Sequence, residues 1–171
     1  MRLYLMRHGP AGNSETWQGD DRLRPLTGKG QQKVRAAAEG LKQLDPGVDL
    51  LITSPLVRAR QTAEIVAKAL HLDVEEQESL APGFGLAQLA SLLASLLASH
   101  PDTRGIMLFG HEPDFSGVIG QLIAAPHPAQ VEMKKGACCA LDLPDPTTGE
   151  LAGSATLLWL MTPRQRALLG E

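Results

Sequence analysis

The stretch Leu3-Tyr4-Leu5-Met6-Arg7-His8-Gly9 decides how this chain is read. Its apolar run ends abruptly in a cation, an imidazole and a glycine. So short a run, bounded by turn chemistry, predicts a buried strand over residues 2–7. In open α/β folds, ligands bind at the carboxyl ends of parallel strands. Arg7 supplies a planar cationic fork suited to phosphate or carboxylate. His8 supplies a nitrogen that serves as nucleophile or base near neutral pH. Gly9 lets the backbone turn sharply and come close to a ligand. The rest of the chain is therefore read for residues that would complete an anion pocket around His8.

Two further strand ends carry similar residues. Asp49–Thr53 reads as a strand, followed by Ser54-Pro55-Leu56-Val57-Arg58-Ala59-Arg60-Gln61-Thr62. Proline is permitted in the first helical turn, so a helix is expected from Ser54-Pro55 to about Leu70. Ser54, Arg58 and Thr62 then recur every four residues along one stripe. Arg58 would sit one turn into a helix whose N-terminus favours anions. Gly105–Gly110 (Gly-Ile-Met-Leu-Phe-Gly) reads as another buried strand, ending at His111-Glu112-Pro113 and a helix to about Ala124. Two arginines and two histidines at strand ends make a cradle for one phosphoryl group.

The intervening segments set the architecture. Residues 10–26 read as a polar loop leaving directly from His8, long enough to be functional or mobile and to form one wall of the site. Thr27 caps a helix to about Leu44, with Val34, Ala37, Ala38, Leu41 and Leu44 at helical spacing. His71–Glu75 reads as a short strand, 79–84 as a loop and Leu86–Ala98 as a leucine-rich core helix. Residues 126–135 read as a polar loop. Ala137–Leu143 and Ala155–Met161 read as strands joined by a turn at Pro144–Gly149, and Pro163–Leu169 as a helical turn. Strands alternating with helices predict a three-layer α/β sandwich over residues 1–171, one domain with helices on both faces. The C-terminal hairpin makes its sheet mixed, mostly parallel with one antiparallel strand.

Bulk properties exclude several classes. The chain has 171 residues, 43% hydrophobic and 20% charged, which suits one soluble domain. A net charge of -3 gives no general basic field for nucleic acid, so an anion site must be local. Cys138 and Cys139 are neighbours, which is neither a disulfide framework nor a metal spacing; they read as strand packing residues in a reducing cytoplasm. Arg7 interrupts the first apolar run too early for a signal peptide. No run of about 18 apolar residues predicts a membrane span. Arg60 reads as a surface ion-pair partner, and His71, His100 and His127 as structural histidines. Trp17 reads equally as a loop anchor or a substrate contact. Nothing marks a dimer surface.

Arg7-His8-Gly9, Ser54-x-x-x-Arg58-x-x-x-Thr62 and Gly110-His111-Glu112-Pro113 together resemble the histidine phosphatase (phosphoglycerate mutase-like) superfamily. Arg24-Pro25-Leu26-Thr27 followed by Gly30, and Leu80-Ala81-Pro82, are similar to its bacterial phosphohistidine phosphatase (SixA-type) branch. The resemblance implies that His8 attacks phosphorus and becomes a phosphohistidine. Arg7, Arg58 and His111 would hold the phosphoryl oxygens, and water would hydrolyse the phosphoenzyme. Such a transfer needs mainly positioning and neutralisation of equatorial charge. Arginines and a protonated His111 would supply both, with no metal or other cofactor. His8 must be neutral at its attacking nitrogen, and Arg7 and Arg58 disfavour its protonated form.

The departures shape the expected substrate. Many family members carry an acidic residue before the second histidine, to protonate an alcohol leaving group. Ser79-Leu80-Ala81-Pro82-Gly83-Phe84-Gly85 has no carboxylate, and Glu78 precedes it in a register unsuited to the role. Without an acid, a poor alkoxide leaves slowly. A phosphoramidate nitrogen can already carry the proton, so phosphohistidine in a protein is the expected substrate. Glu15, Asp20 and Asp21 are the loop carboxylates that could reach in, and Asn13 is a possible phosphate contact. Pro10 stands where many members have a polar or acidic residue. The short chain has no insertion to close over a small sugar or glycerate phosphate. The alternatives are a broad small-molecule phosphomonoesterase, a phosphate-binding module without turnover, and a metal site of His8, His111 and loop aspartates. Two arginines in the pocket oppose the last. No nucleic-acid or membrane partner is expected.

Overall fold

Six strands form the sheet that carries the site: β1 (Arg2–Arg7), β2 (Leu50–Thr53), β3 (Val74–Glu76), β4 (Gly105–Gly110), β5 (Cys138–Asp142) and β6 (Thr156–Met161). The computed structural model describes residues 1–144, 146 and 150–170. The strand order is β3-β2-β4-β1-β5-β6. The first four strands in that order pair in parallel, while β5 runs antiparallel to both β1 and β6. The expected mixed sheet with one antiparallel strand is therefore present.

Register brings the strand ends together. Arg7 lies opposite Gly110 and Thr53 opposite Phe109. The His8 amide donates to the Gly110 carbonyl and the Ser54 amide to the Phe109 carbonyl, each at 3.0 Å. Three chain segments thus leave the sheet at one edge, carrying His8, Ser54 and His111.

Alternation along the strands explains the layers. Leu3, Leu5, Ile106 and Leu108 pack with α3 (Leu86–Ser99) and α4 (Asp114–Ile123). Tyr4, Met6, Met107 and Phe109 pack on the other face with α1 (Gly28–Gln43) and α2 (Val57–Leu70). Both faces are covered, which is why β1 and β4 are apolar without interruption. A short α5 (Pro163–Ala167) packs on α1. Fully burying each such leucine or phenylalanine contributes about 1.5–3 kcal/mol before ordering costs. No described helix is long and apolar enough to cross a membrane.

Several boundaries differ from expectation. Thr27 caps α1 as predicted, its hydroxyl accepting from the Gly30 amide at 2.9 Å. The second helix, however, starts at Val57 and not at Ser54-Pro55: Leu56 is still extended, with φ -66° and ψ 130°. Ser54 therefore lies outside the helix, and only Arg58 and Thr62 share its stripe. His71 closes α2 in the left-handed region at φ 57°, so the next strand starts at Val74 and not at His71. The expected turn at Pro144–Gly149 falls largely on residues 145 and 147–149, which lie outside the described residues. The strands flanking it pair as a hairpin, from Cys138 opposite Met161 to Asp142 opposite Thr156.

Candidate active site

His8 is the first residue beyond β1 and is buried. Its Nδ1 lies 2.7 Å from the Gly9 carbonyl oxygen. A carbonyl can only accept, so Nδ1 carries the proton and Nε2 keeps its lone pair. The chain around His8 is pinned on three sides. The Gly9 amide donates to the Thr62 hydroxyl at 3.0 Å, and the Gly136 amide donates to the His8 carbonyl at 2.8 Å. A side chain at Gly9 would meet Val34 of α1 at 2.5 Å, so only glycine allows this close approach.

His111 faces His8, with ring centroids 5.4 Å apart and planes inclined by 51°. Its Nε2 is 2.8 Å from the Ser54 hydroxyl oxygen, which also accepts from the Leu56 amide at 3.3 Å. The hydroxyl proton has no other acceptor among the described residues, so the arrangement that uses it is donation to Nε2. The proton on His111 then sits on Nδ1, a buried atom that makes no hydrogen bond among the described residues.

The two arginines are held from opposite sides. Arg7 donates through a terminal nitrogen to the Met133 carbonyl at 2.6 Å. Arg58 donates to the Asp21 carbonyl at 2.8 Å and pairs with the Asp21 carboxylate at 3.0 Å. Arg24, itself buried, holds the same carboxylate at 2.7 Å. The Nε atoms of Arg7 and Arg58 are buried and unpartnered among the described residues, like His111 Nδ1. Three donor atoms on three segments, two of them on guanidinium groups whose other nitrogens are held, thus lack an acceptor among the described residues. The two guanidinium charges that act on His8 suit a tetrahedral oxyanion.

Electrostatics favour neutral rings. Burial pushes His8 down to about 3; the Gly9 carbonyl opposes this, while the charges of His111, Arg58 and Arg7 add to it. Burial likewise pushes His111 down to about 4, helped by Arg58, Arg7 and Arg24 and opposed by Asp21. In the free protein at neutral pH, burial and the nearby arginines therefore favour a neutral His111; the protonated ring was expected of the state that holds a phosphoryl group. The neutrality of His8 follows the expectation, but desolvation outweighs the arginines as its cause. The hydrogen bond from Arg24, with the charges of Arg58 and Arg24, holds the Asp21 carboxyl below the usual range. Asp21 is thus the loop carboxylate that reaches in, and it arrives ionised.

The remaining expected residues lie elsewhere. Glu78 pairs with Arg22 at 2.9 Å on the exposed surface. Asn13 accepts from the Glu15 amide within its own loop, and Asp20 from the Arg22 amide. Trp17, 36% exposed, donates to the Asp20 carbonyl at 3.0 Å, an anchoring contact inside the loop. Arg60 makes surface pairs with Glu64 and Glu76 at 3.6 and 3.7 Å. Sequence reasoning missed Arg24, Met133, Gly136 and the fully buried Arg166, which donates to the Gly136 carbonyl. The Ser54 contact was hinted at by the four-residue spacing, though not through a helix.

Comparison with known proteins gives the family and supports the fold. The model of the histidine phosphatase superfamily (branch 1) matches residues 3–88. The chain belongs to that superfamily. An uncharacterised Picosynechococcus protein is 40% identical over 115 residues, covering 67% of this chain and 68% of its own. The phosphohistidine phosphatase SixA of Escherichia coli is 26% identical over 165 residues, covering 95% and 94%. The structure of the protein histidine phosphatase SixA with tungstate superposes with a TM-score of 0.80 at 25% identity, covering 96% of this chain and 99% of that one. A mycobacterial glucosyl-3-phosphoglycerate phosphatase shares the fold at 20% identity, with a TM-score of 0.72 and coverage of 92% and 97%. The chain is thus a histidine phosphatase of SixA-like architecture.

Proposed function

We propose that this chain removes phosphate from phosphohistidine in proteins, through a phosphohistidine formed on His8. The observation that carries the reading is the state of Asp21. It is the loop carboxylate that approaches the cradle, and it is ionised and held by Arg24 and Arg58. It is therefore poorly suited to protonate an alkoxide. A phosphoramidate does not need that proton, because its leaving imidazole departs neutral once its other ring nitrogen is protonated. The likeness to SixA over nearly the whole chain supports the same substrate class.

The steps follow from the residue types. The Nε2 lone pair of His8 attacks phosphorus in line as the bond from phosphorus to the substrate nitrogen breaks. The equatorial oxygens take hydrogen bonds from Arg7, Arg58 and the Nδ1–H of His111, which neutralise developing charge. The Gly9 carbonyl holds the Nδ1 proton of His8 and so keeps the attacking nitrogen oriented. Water then attacks phosphorus, the bond to Nε2 breaks, and inorganic phosphate leaves with the water-derived oxygen. The proton lost by water passes to phosphate or solvent, and His8 regains its lone pair. The cradle's own cations supply the charge neutralisation, so we infer that no metal is required.

The test is phosphate release from a phosphohistidine peptide and from 3-phosphoglycerate in parallel, with chelator present and His8→Ala as control. Fast release from the peptide alone, lost in the variant, is expected. Fast release from the glycerate ester would move the assignment to a small-molecule phosphomonoesterase. Release from neither, with phosphate still bound, would make the chain a binding module. Loss of all activity in chelator alone would overturn the metal-independent step.

A further inference from the structure

A groove of about 530 Å³ lies between α1, α5, Pro10 and the segment before β5. Its floor is apolar, made by Pro10, Ala36 and Pro163. Its rim is four exposed cations: Lys33 on α1, Lys134 and Lys135 before β5, and Arg164 on α5. No carboxylate lines it, and none of the four cations pairs with one among the described residues. The neighbouring groove over Arg35, Lys42 and Lys68 differs, because Glu39 and Glu64 balance its charge. Against a net charge of -3, four unbalanced cations around one concavity are a local field with a direction.

The groove is joined to the site through the backbone. Pro10 follows His8 by two residues, so their Cα atoms lie within about 8 Å. Lys135 precedes Gly136, whose amide holds the His8 carbonyl at 2.8 Å. Lys134 follows Met133, whose carbonyl holds Arg7 at 2.6 Å. The groove and the site thus share the segments that carry His8 and Arg7's carbonyl partner.

We propose that the groove docks an acidic segment of the substrate protein flanking its phosphorylated residue. The inference rests on the proposed action on a phosphorylated protein and adds how that protein is selected. The cations come from three separate segments, α1, the stretch before β5 and α5, around a largely apolar lining. That arrangement fits an extended segment with carboxylates on its edges and small apolar side chains between, better than one compact anion. Rim charges act mainly on encounter and are screened by salt.

The test compares kcat/KM for free phosphohistidine and for two phosphohistidine peptides of equal length, one with Asp and Glu flanks and one with neutral flanks. The acidic peptide is expected to be preferred about tenfold, through KM, and the preference to fade at high salt. Lys33→Glu with Arg164→Glu should abolish the preference and leave free phosphohistidine turnover unchanged. Lys134→Ala with Lys135→Ala should reduce it in the same direction. Equal use of both peptides by the native protein, or a preference that survives charge reversal, would overturn the docking proposal. Failure to hydrolyse any of the three substrates would instead overturn the function reading. In that case, titration with the unphosphorylated acidic peptide decides the groove alone: binding weakened by Lys33→Glu with Arg164→Glu supports it, and absent or unweakened binding overturns it. Binding of phosphatidylserine vesicles with no peptide binding would also overturn it.

Discussion

The Ser54 hydroxyl lies 2.8 Å from His111 Nε2 and, with no other acceptor for its proton among the described residues, favours the tautomer that carries the ring proton on Nδ1. Ser54→Ala removes the only partner of Nε2 among the described residues and frees both tautomers. An Nε2–H tautomer would aim a lone pair where the phosphoryl oxygen needs a donor. The variant is expected to lower kcat about tenfold and to destabilise the protein by about 1–3 kcal/mol, since a buried amide and a ring nitrogen lose their partner. Nitrogen NMR of the imidazole checks the cause: one Nδ1–H tautomer in the native protein and a mixture in the variant. A single unchanged tautomer with reduced kcat would show that Ser54 acts otherwise.

Asp21 separates positioning from acid catalysis. Its carboxylate bridges Arg24 at 2.7 Å and Arg58 at 3.0 Å. Asp21→Asn loosens both cations but keeps the backbone bond from Arg58 to the Asp21 carbonyl. A several-fold loss of kcat/KM is expected, equal for a phosphoramidate and a phosphate ester. A residue that protonates the leaving group would give a different ratio, with the ester losing about a hundredfold or more and the phosphoramidate spared. Measuring both substrates with one variant preparation decides between them.

Much of this site was legible because its residues sit where apolar runs stop. β1 and β4 fall on their expected ranges, and His8 and His111 mark their ends. The start of α2 was not legible. Proline is allowed in a first helical turn, but here Ser54 spends its hydroxyl on His111 and Leu56, so the chain stays extended until Val57. Met133 and Gly136 were invisible for another reason: they act through backbone atoms, which carry no residue signature. Arg166 lies in Arg164-Gln165-Arg166, which reads as a solvated helix end, yet it is wholly buried. Asp21 lies in a loop without periodicity, where three acidic residues look alike until geometry selects one.

The contact between α1 and α5 gives a stability prediction. A side chain at Gly40 would run into the carbonyl group of Arg166, a backbone that cannot rotate away. Gly40→Ala normally favours a helix interior, but here the clash should win. A net loss of about 1–3 kcal/mol is expected from such overpacking. Urea unfolding checks it, and because Arg166 braces Gly136 behind His8, kcat should fall as well. A variant as stable as the native protein would show that α5 can move off α1 freely.

The two buried histidines set the acid limit of stability. His8 is pushed down to about 3 and His111 to about 4 from an ordinary value of 6.5. Between those values and 6.5, the unfolded chain binds protons that the folded chain refuses, so stability rises with pH there and is lost as pH falls. Below about 6.5 each histidine begins to draw the equilibrium toward unfolding, and by pH 5 each removes about 2 kcal/mol. Urea unfolding at pH 7 and pH 5 should show this loss in the native protein. It should be largely absent in His8→Gln with His111→Gln, whose amide side chains do not titrate. The depressed Asp21 does not interfere, because its own contribution is lost only as pH falls through the carboxylate range. An equal decline in the double variant would place the acid sensitivity elsewhere in the fold.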